Sequence, residues 1–255
     1  MEDASYHRHD IEDRSRDLIK DLLPGQRGQW GGVAEDNRRF VNAVFWVLRT
    51  GAPWRDLPPD CGGWKNTHRR FCRWRDKGVW ERLLVAVVDD PGFERPMVGS
   101  ACVRARRGAA GAVGGTEAVG RTKGGANTEV RLAVDAHGMP VRFSVAAGAE
   151  AGCRHLPELV AEPPAKFVPA DRACDADACP GAVAAPGAGA AMPPKRNRVG
   201  QRPYDGHTYK LRHLAENAFE KVRRRRDLAA RCCKRASSFE AAFQIRCLTL
   251  WLHIL

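Results

Sequence analysis

The sequence predicts two parts: an all-α, helix-turn-helix-like N-terminal region over residues 10–90, and an α/β domain over residues 93–255. Before residue 90, apolar residues recur at helical spacing. From about Gly92 onward, short apolar runs separated by glycine and proline are typical of strands. Strands followed by helices indicate an α/β domain rather than a continued helical bundle.

Charge and length restrict the class of protein. The 255 residues include 42 Lys+Arg and 30 Asp+Glu, which gives a formal net charge of +12. That surplus favours a polyanionic partner, of which nucleic acid is the commonest in a cell; the alternative is a general bias towards arginine. No apolar stretch reaches the roughly 18 residues of a membrane helix. Residues 1–20 are too polar for a secretory signal. We therefore expect a cytoplasmic protein with no membrane partner.

The nine cysteines do not point to a metal or disulfide framework. Their number is odd and no CxxC spacing occurs. A zinc ribbon and a disulfide-stapled fold are both disfavoured by these two features. We expect reduced, partly buried thiols.

Four helices are predicted in the N-terminal region. The first stops at Pro24-Gly25, and the second begins at Asp36-Asn37 and ends at Thr50-Gly51. A third runs from about Asn66 to Asp76, and the fourth follows Lys77-Gly78. Short helices joined by tight turns resemble a helix-turn-helix unit.

Arginine is concentrated on the third of these helices. Arg69, Arg70 and Arg73 fall on one side of it, where they would suit a DNA groove or a row of phosphates. The alternative interpretation is the solvated face of a small helical bundle. The arginines favour DNA binding by this region.

The α/β part is predicted to contain a hairpin and two closing helices. Its predicted elements are strands Met97–Val103 and Val130–Asp135, the turn Gly138-Met139-Pro140, a returning strand Val141–Ala146, and helices from about Tyr209 to Arg226 and Ser237 to Leu255. A further short apolar run, Phe167-Val168, comes just before Asp171.

Polar residues share one face of the first closing helix. At 100° per residue, Tyr209, Arg212, Glu216 and Arg223 lie on one narrow face, beside an apolar stripe that can dock on a sheet. A carboxylate between two guanidiniums and a phenol can serve a phosphate and metal site. The alternative is a solvated helix with an Arg212–Glu216 ion pair.

Asp171 is a second candidate carboxylate, because it follows an apolar run that reads as a strand. A carboxylate at a strand end, facing a helix with another carboxylate, can hold a hard cation such as Mg²⁺ and so promote attack on a phosphodiester. The alternative is an ordinary turn or helix N-cap.

The spacing Tyr209-x2-Arg212-x3-Glu216-x6-Arg223 resembles the signature of DDE-class insertion-sequence transposases, and the chain looks like their five-type branch. Further segments match in order and style over roughly residues 18–252: Arg49-Thr50-Gly51-Ala52-Pro53-Trp54, Gly120-Arg121-Thr122-Lys123-Gly124-Gly125 and Pro193-Pro194-Lys195-Arg196-Asn197-Arg198.

The resemblance implies a ribonuclease H-like mixed sheet with flanking helices and a catalytic site of three carboxylates that binds Mg²⁺ (or Mn²⁺). Asp171 matches the second carboxylate and Glu216 the third. It also implies cleavage and transfer of double-stranded DNA, as transposon ends and as target, in the cytoplasm at the bacterial nucleoid, and it allows a homo-oligomer on DNA.

The first carboxylate of the family pattern is absent, because Gly99 stands at its place. A lost carboxylate removes oxygen ligands and a negative charge from a two-cation site. Asp89, Asp90 and Asp135 are conceivable substitutes, although the motif places none of them there. We therefore expect impaired cleavage. The alternatives are a catalytically inactive DNA-binding protein derived from a transposase and a nuclease of another kind.

Cations around the signature helix complete the predicted DNA contacts. Arg212 and Arg223 would orient phosphate or the carboxylates. A wider cluster would contact phosphates along the duplex and comprises Lys221, Arg223, Arg224, Arg225, Arg226, Arg231, Lys234 and Arg235. The alternative is a solvated helix end whose positive charge the helix dipole favours.

Overall fold

The chain divides into two compact units. The computed structural model describes residues 10–28, 32–88, 97–109, 117–148, 159, 167–168, 189–190, 210–211 and 213–253. Unit 1 comprises residues up to Val88, Arg225–Ala229 and the chain from Ser237 onward, and unit 2 comprises Asp89–Arg224 and Ala230–Ala236. The chain therefore leaves unit 1, builds most of unit 2, and returns.

Unit 1 is helical. Its helices are α1 (Asp13–Ile19), α2 (Asn37–Thr50), α3 (Trp64–Asp76), α4 (Val79–Val87), α6 (Arg226–Ala229) and α7 (Ala236–Leu252), with short 3₁₀ turns at Lys20–Leu22, Trp54–Asp56 and Pro59–Cys61. The four predicted N-terminal helices are confirmed. The Asp36 carboxylate caps α2 by accepting from the Arg39 N–H at 2.9 Å, and Gly51 ends it with a left-handed φ of 67°.

Aromatic rings form the centre of unit 1. The ring of Phe40 on α2 meets the ring of Trp74 on α3 edge to face, with centroids 4.8 Å apart. Trp80 on α4 lies 5.0 Å from Trp74 and stacks on Phe40. Because such aromatic pairs add to the stabilisation from apolar burial, these rings fix α2, α3 and α4 against one another.

The C-terminal helix α7 completes this core. It is buried on nearly every side, through Phe239, Phe243, Leu248 and Trp251 among others. The Ser15 hydroxyl donates to the carbonyl of Leu252 at 3.0 Å, inside the unit. A helix that is apolar all round must be covered all round. The first and last helices described therefore belong to one core.

Unit 2 is built on a mixed sheet. Its strands are β1 (Met97–Ala105), β2 (Gly120–Thr122), β3 (Gly125–Val134), β4 (Pro140–Ala147) and β7 (Ala230–Arg231). The order is β2-β3-β1-β7, with β4 also paired to β3; β1 is antiparallel to β3 and parallel to β7. A two-stranded parallel ladder joins β5 (Phe167–Val168) to β6 (Gly189–Ala190). Helix α5 (His213–Arg223) packs on β1 and β3.

The predicted hairpin of β3 and β4 is confirmed. Its turn is held by Asp135, whose buried carboxylate accepts from the N–H groups of His137 at 2.9 Å and Met139 at 2.7 Å. An aspartate that bonds its own backbone two residues on is a standard turn device. Asp135 thus has a structural role at the end of β3.

Two expectations about chemistry and environment can be compared with the described residues. No helix within the described residues has the length and apolar character needed to cross a membrane. The cysteines in this part of the chain are free thiols: Cys61, Cys72, Cys102, Cys232, Cys233 and Cys247.

Replacing a buried ring of α7 tests its place in unit 1. Phe243 is 2% exposed, and we expect Phe243→Ala to lower the free energy of unfolding by about 3–5 kcal/mol through the cavity it leaves. The described tryptophans all lie in unit 1, so urea unfolding followed by tryptophan fluorescence reports on that unit. The exposed control Val85→Ala should change stability by under about 0.5 kcal/mol. An unchanged midpoint in Phe243→Ala would show that α7 lies outside this core.

Candidate catalytic helix and cationic surfaces

Helix α5 separates an apolar from a polar face, as its sequence predicts. Ala215, Ala218, Phe219 and Val222 are buried against the sheet, whereas Glu216 is exposed. Arg223 lies on the same flank as Glu216, donates from Nη2 to the carbonyl of Cys102 on β1 at 3.3 Å, and lies over the Phe219 ring. This flank of the helix therefore runs along strand β1. Tyr209 and Arg212, the other residues of the predicted face, lie outside the described residues.

Gly99 lies directly beneath this helix. A Cβ atom at position 99 would sit 3.0 Å from the Cβ of Ala215 and 3.4 Å from the Phe219 ring. Ala215 immediately precedes Glu216, so strand position 99 faces the helical turn that carries this carboxylate. The absence of a side chain at Gly99 lets the strand and the helix approach closely. Any side chain there would require a shift of a few tenths of an ångström.

Of the remaining carboxylates predicted for the site, Asp135 alone lies within the described residues. Asp171, Asp89 and Asp90 lie outside the described residues. Asp135 is engaged in the hairpin turn. Within the described ranges, no cluster of three or more His, Cys, Asp or Glu residues is placed to hold a metal ion. With glycine at position 99, the described donors do not fit a two-cation site.

The three arginines predicted on α3 have different environments. Arg69 and Arg73 are exposed. The Arg70 guanidinium instead lies over the rings of Phe40 at 4.2 Å and Trp74 at 4.9 Å. It also donates to the side-chain oxygen of Asn37. Burial lowers the pKa of Arg70, and the nearby charge of Arg73 adds to this effect. Arg70 is therefore part of the packing between α2 and α3.

The exposed side of α3 carries a row of like charges. The residues of this row, the α3 row, occur at every fourth position: Lys65, Arg69, Arg73 and Lys77. Within the part of the chain that the structure describes, no salt bridge reaches any of them. Like charges four residues apart destabilise a helix by about 0.2–0.5 kcal/mol a pair. Because the α3 row is destabilised by this repulsion, binding of an external anion would stabilise it.

Arg224 and Arg225 also differ. Arg224 is exposed at the end of α5, whereas Arg225 donates to the carbonyl of Phe45 at 3.5 Å. Burial, with the charges of Arg246 and Arg49, lowers the pKa of Arg225 to about 10. The structure thus leaves Arg224 accessible to a ligand and engages Arg225 within unit 1.

The prediction that Arg231 contacts phosphate is wrong, because its side chain is fully buried. Its guanidinium donates to the Thr128 hydroxyl at 2.8 Å and to the carbonyls of Ala118 at 3.3 Å, Cys233 at 3.2 Å and Lys234 at 2.9 Å. Five donors in a rigid fork can satisfy several carbonyls at once. Arg231 therefore organises unit 2 from inside, a role that the basic sequence around it does not reveal.

Comparisons with known proteins match the chain to a transposase family and to two bacterial proteins, one of them from an insertion element. Residues 11–84 match the family described as "Putative transposase of IS4/5 family (DUF4096)". The uncharacterized protein y4sN of Sinorhizobium fredii (strain NBRC 101917 / NGR234) is 34% identical over 102 residues, which cover 40% of this chain and 82% of that protein. The insertion element IS402 uncharacterized 16.2 kDa protein of Burkholderia cepacia is 36% identical over 107 residues, covering 37% of this chain and 73% of that protein. No solved structure matches the chain.

Asp227 gives unit 1 a predicted pH dependence. Burial raises the pKa of its carboxyl from 3.8 to about 7, although neighbouring Arg225 opposes the shift. The folded state therefore holds this proton more tightly than the unfolded chain does. Its contribution to stability is greatest below about pH 4 and is lost as the pH rises through about 7.

We expect Asp227→Asn to reduce this dependence. The measurement is the urea midpoint followed by tryptophan fluorescence between about pH 4 and about pH 7. Asp21→Asn, which removes an exposed carboxyl of the same unit, is the matched control and should retain the slope of the natural chain. Identical slopes for the Asp227→Asn variant and the natural chain would contradict the assignment.

Proposed function

The chain belongs to the IS4/5 family of insertion-element transposases, and we propose that it is a DDE-class member whose strand cleavage is impaired at Gly99. One observation carries this proposal: position 99 lies beneath the turn of α5 that bears Glu216. The strand position that matches the first carboxylate of the family motif therefore packs against Ala215, the neighbour in sequence of Glu216, which matches the third. Glycine there gives close packing but no ligand.

The topology of unit 2 supports a ribonuclease H-like domain. Strand β1 has an antiparallel neighbour, β3, on one side and a parallel neighbour, β7, on the other, and α5 covers the sheet. A mixed sheet with a packed helix can bring a strand residue and a helix residue together. In this proposal those residues are Gly99 and Glu216.

The proposed cofactor is Mg²⁺ or Mn²⁺, held by Asp171 and Glu216. Such ions would supply Lewis acidity for the attack of water or a 3′-hydroxyl on a phosphodiester. Because Mg²⁺ demands near-octahedral oxygen coordination, losing the carboxylate at 99 is costly. Among the described residues, the donors do not make a complete site. This chain's own residues are instead assigned the binding and orientation of DNA, with Arg212, Arg223 and Arg224 beside the phosphate.

The proposed partner is double-stranded DNA, as element ends and as target. The α3 row supports this, because four exposed cations without a salt bridge in the described structure offer a track for phosphates. We place this activity in the cytoplasm, at the nucleoid, with assembly into a homo-oligomer on DNA as part of the proposal.

A second candidate function follows from the same glycine. A chain that binds ends without cutting them would act as a catalytically inactive DNA-binding protein, and Gly99 favours this alternative. It retains the α3 row and the DNA-binding part of the proposal. Cleavage assays distinguish the two functions.

The α3 row is tested by separating its exposed arginines from Arg70. The affinity of the chain for a labelled duplex is measured by fluorescence anisotropy over a range of salt concentrations. In the double variant Arg69→Gln, Arg73→Gln, the slope of log affinity against log salt concentration should become less steep by about 1.8, at about 0.9 per lost phosphate contact. Arg70→Gln should leave that slope unchanged and destabilise unit 1 by about 1–2 kcal/mol, through lost contacts with Phe40 and Trp74. A slope that responds to Arg70 and not to Arg69 and Arg73 would reverse these roles.

Restoring the carboxylate tests the proposed catalytic defect. Gly99→Asp should bind Mn²⁺ roughly tenfold more tightly than the natural chain, seen as a metal-dependent rise in Tm, and should gain cleavage of a duplex carrying element ends. Gly99→Asn is the matched control, because it has the same size and no charge. Both variants should lose about 1–3 kcal/mol of stability, since Ala215 and Phe219 must give way.

The outcomes of this experiment separate the candidate functions. Equal end-specific cleavage by the natural chain and Gly99→Asp would refute the impairment. Cleavage without end preference would identify a nuclease of another kind. End binding without cleavage by any variant would favour the inactive DNA-binding protein. A natural chain that binds no DNA would eliminate both proposed functions.

A further inference from the structure

One end of the sheet in unit 2 brings together three segments that are distant in sequence. At this end Arg104 of β1 pairs with Asn127 of β3 and with Ala230 of β7. Gly120 of β2 pairs with the same Asn127 from the other side. The end of β1, the β2–β3 turn and the segment after β7 are therefore neighbours.

These segments carry an unusual concentration of positive charge. We call the group the sheet-end patch, and its members, all exposed, are Arg104, Arg106, Arg107, Arg121, Lys123, Lys234 and Arg235. It lies wholly in unit 2. It shares no residue with the α3 row or with helix α5.

The three carboxylates of these segments accept hydrogen bonds from backbone N–H groups or from Arg131, and none pairs with a side chain of the patch in the described structure. The acids within 97–109, 117–148 and 230–236 are Glu117, Glu129 and Asp135. Glu117 accepts from the N–H of Ala236 at 2.7 Å, and Glu129 pairs with the buried Arg131 at 2.9 Å. Asp135 holds the turn at the opposite end of β3. No salt bridge among the described residues reaches the patch.

The patch is preorganised by the buried Arg231. Its guanidinium holds the carbonyl of Lys234 at 2.9 Å and the hydroxyl of Thr128 at 2.8 Å, so the chain after β7 is tied to the sheet. The carbonyl of Arg231 also accepts from the N–H of Arg106 at 2.9 Å. Two of the three cationic segments are thus joined through one residue. A surface that is already ordered loses less entropy when it binds.

We propose that the sheet-end patch binds the phosphodiester backbone of double-stranded DNA. Seven like charges on one end of a sheet repel one another, and phosphates provide the neutralisation that the surrounding carboxylates do not. This inference about the patch rests on the proposed function only for the identity of the polyanion, which is DNA. It adds to unit 2 a contact surface separate from the α3 row and from Arg223 and Arg224, and it joins Lys234 and Arg235, which the sequence already predicts to contact phosphate, to cations of β1 and the β2–β3 turn.

The position of the patch relates it to helix α5. Arg104 follows Gly99 by five residues on β1, a distance of roughly 17 Å along a strand. That distance corresponds to about five base pairs of duplex at 3.4 Å each. A duplex held by the patch can therefore extend alongside β1 towards the flank of α5 that carries Glu216 and Arg223. The patch positions DNA, and it does so without any metal ion.

The test removes one cation from each segment. Arg106→Gln, Lys123→Gln and Lys234→Gln are combined in the full chain, and affinity for a labelled duplex of random sequence is measured by anisotropy over a range of salt concentrations. The salt slope should fall by about 2.7, at about 0.9 per phosphate contact. The control combines Arg14→Gln, Arg27→Gln and Arg82→Gln, three exposed cations of unit 1, with the same loss of charge.

Each outcome has a distinct meaning. A reduced slope in the patch variant with an unchanged control supports the proposal. If the salt slope falls equally in the patch variant and in the control variant, the effect comes from net charge alone and the proposal is overturned. Unchanged slopes, with salt-dependent binding by the natural chain, would also overturn it and leave the proposed function intact. No binding by the natural chain would sink the proposed function together with the patch. Unchanged Tm values show that the variants are folded.

Discussion

The contact between helix α5 and strand β1 is the constraint on which the rest of unit 2 depends. Ala215 and Phe219 press on a strand that offers only a hydrogen atom at Gly99, so backbone and helix approach closely. That approach places the flank of α5 that carries Glu216 and Arg223 along β1, where Arg223 donates to the carbonyl of Cys102. The space beside position 99 is filled by Ala215 and Phe219, so a larger side chain there would have to displace them.

Charge is arranged in two ways across the molecule. Guanidiniums that lie inside the packing, such as Arg70 over aromatic rings and Arg231 among carbonyls, stabilise the structure and are withdrawn from ligands. The exposed cations of the α3 row and of the sheet-end patch, in contrast, have no salt bridge in the described structure. Each unit thus has its own group of cations that remain accessible to an anion.

Much of the secondary structure could be predicted from hydrophobic periodicity and from the residues that begin and end helices and turns. Asp36 and Gly51 bound α2 because a cap and a left-handed glycine are local features, and the turn at Gly138 marks the hairpin for the same reason. The sequence could not show that α7 packs in unit 1, because a helix that is apolar on every side does not indicate which neighbours cover it. A run of arginines also does not show which side chains are buried. The guanidiniums of Arg70 and Arg231 are buried by contacts with rings and oxygen atoms that distant segments contribute. The position of Glu216 on an exposed flank followed from helical spacing, whereas the contact with Gly99 required the sheet register.

The return of the chain to unit 1 has a consequence for synthesis. Helices α2, α3 and α4 emerge early from the ribosome, yet the helix that covers them, α7, is translated last among the described elements. Until then their apolar faces remain exposed to solvent and to chaperones. A polypeptide interrupted within unit 2 would never close its helical bundle. Only chains that include α7 would therefore acquire the stability that protects them from proteolysis.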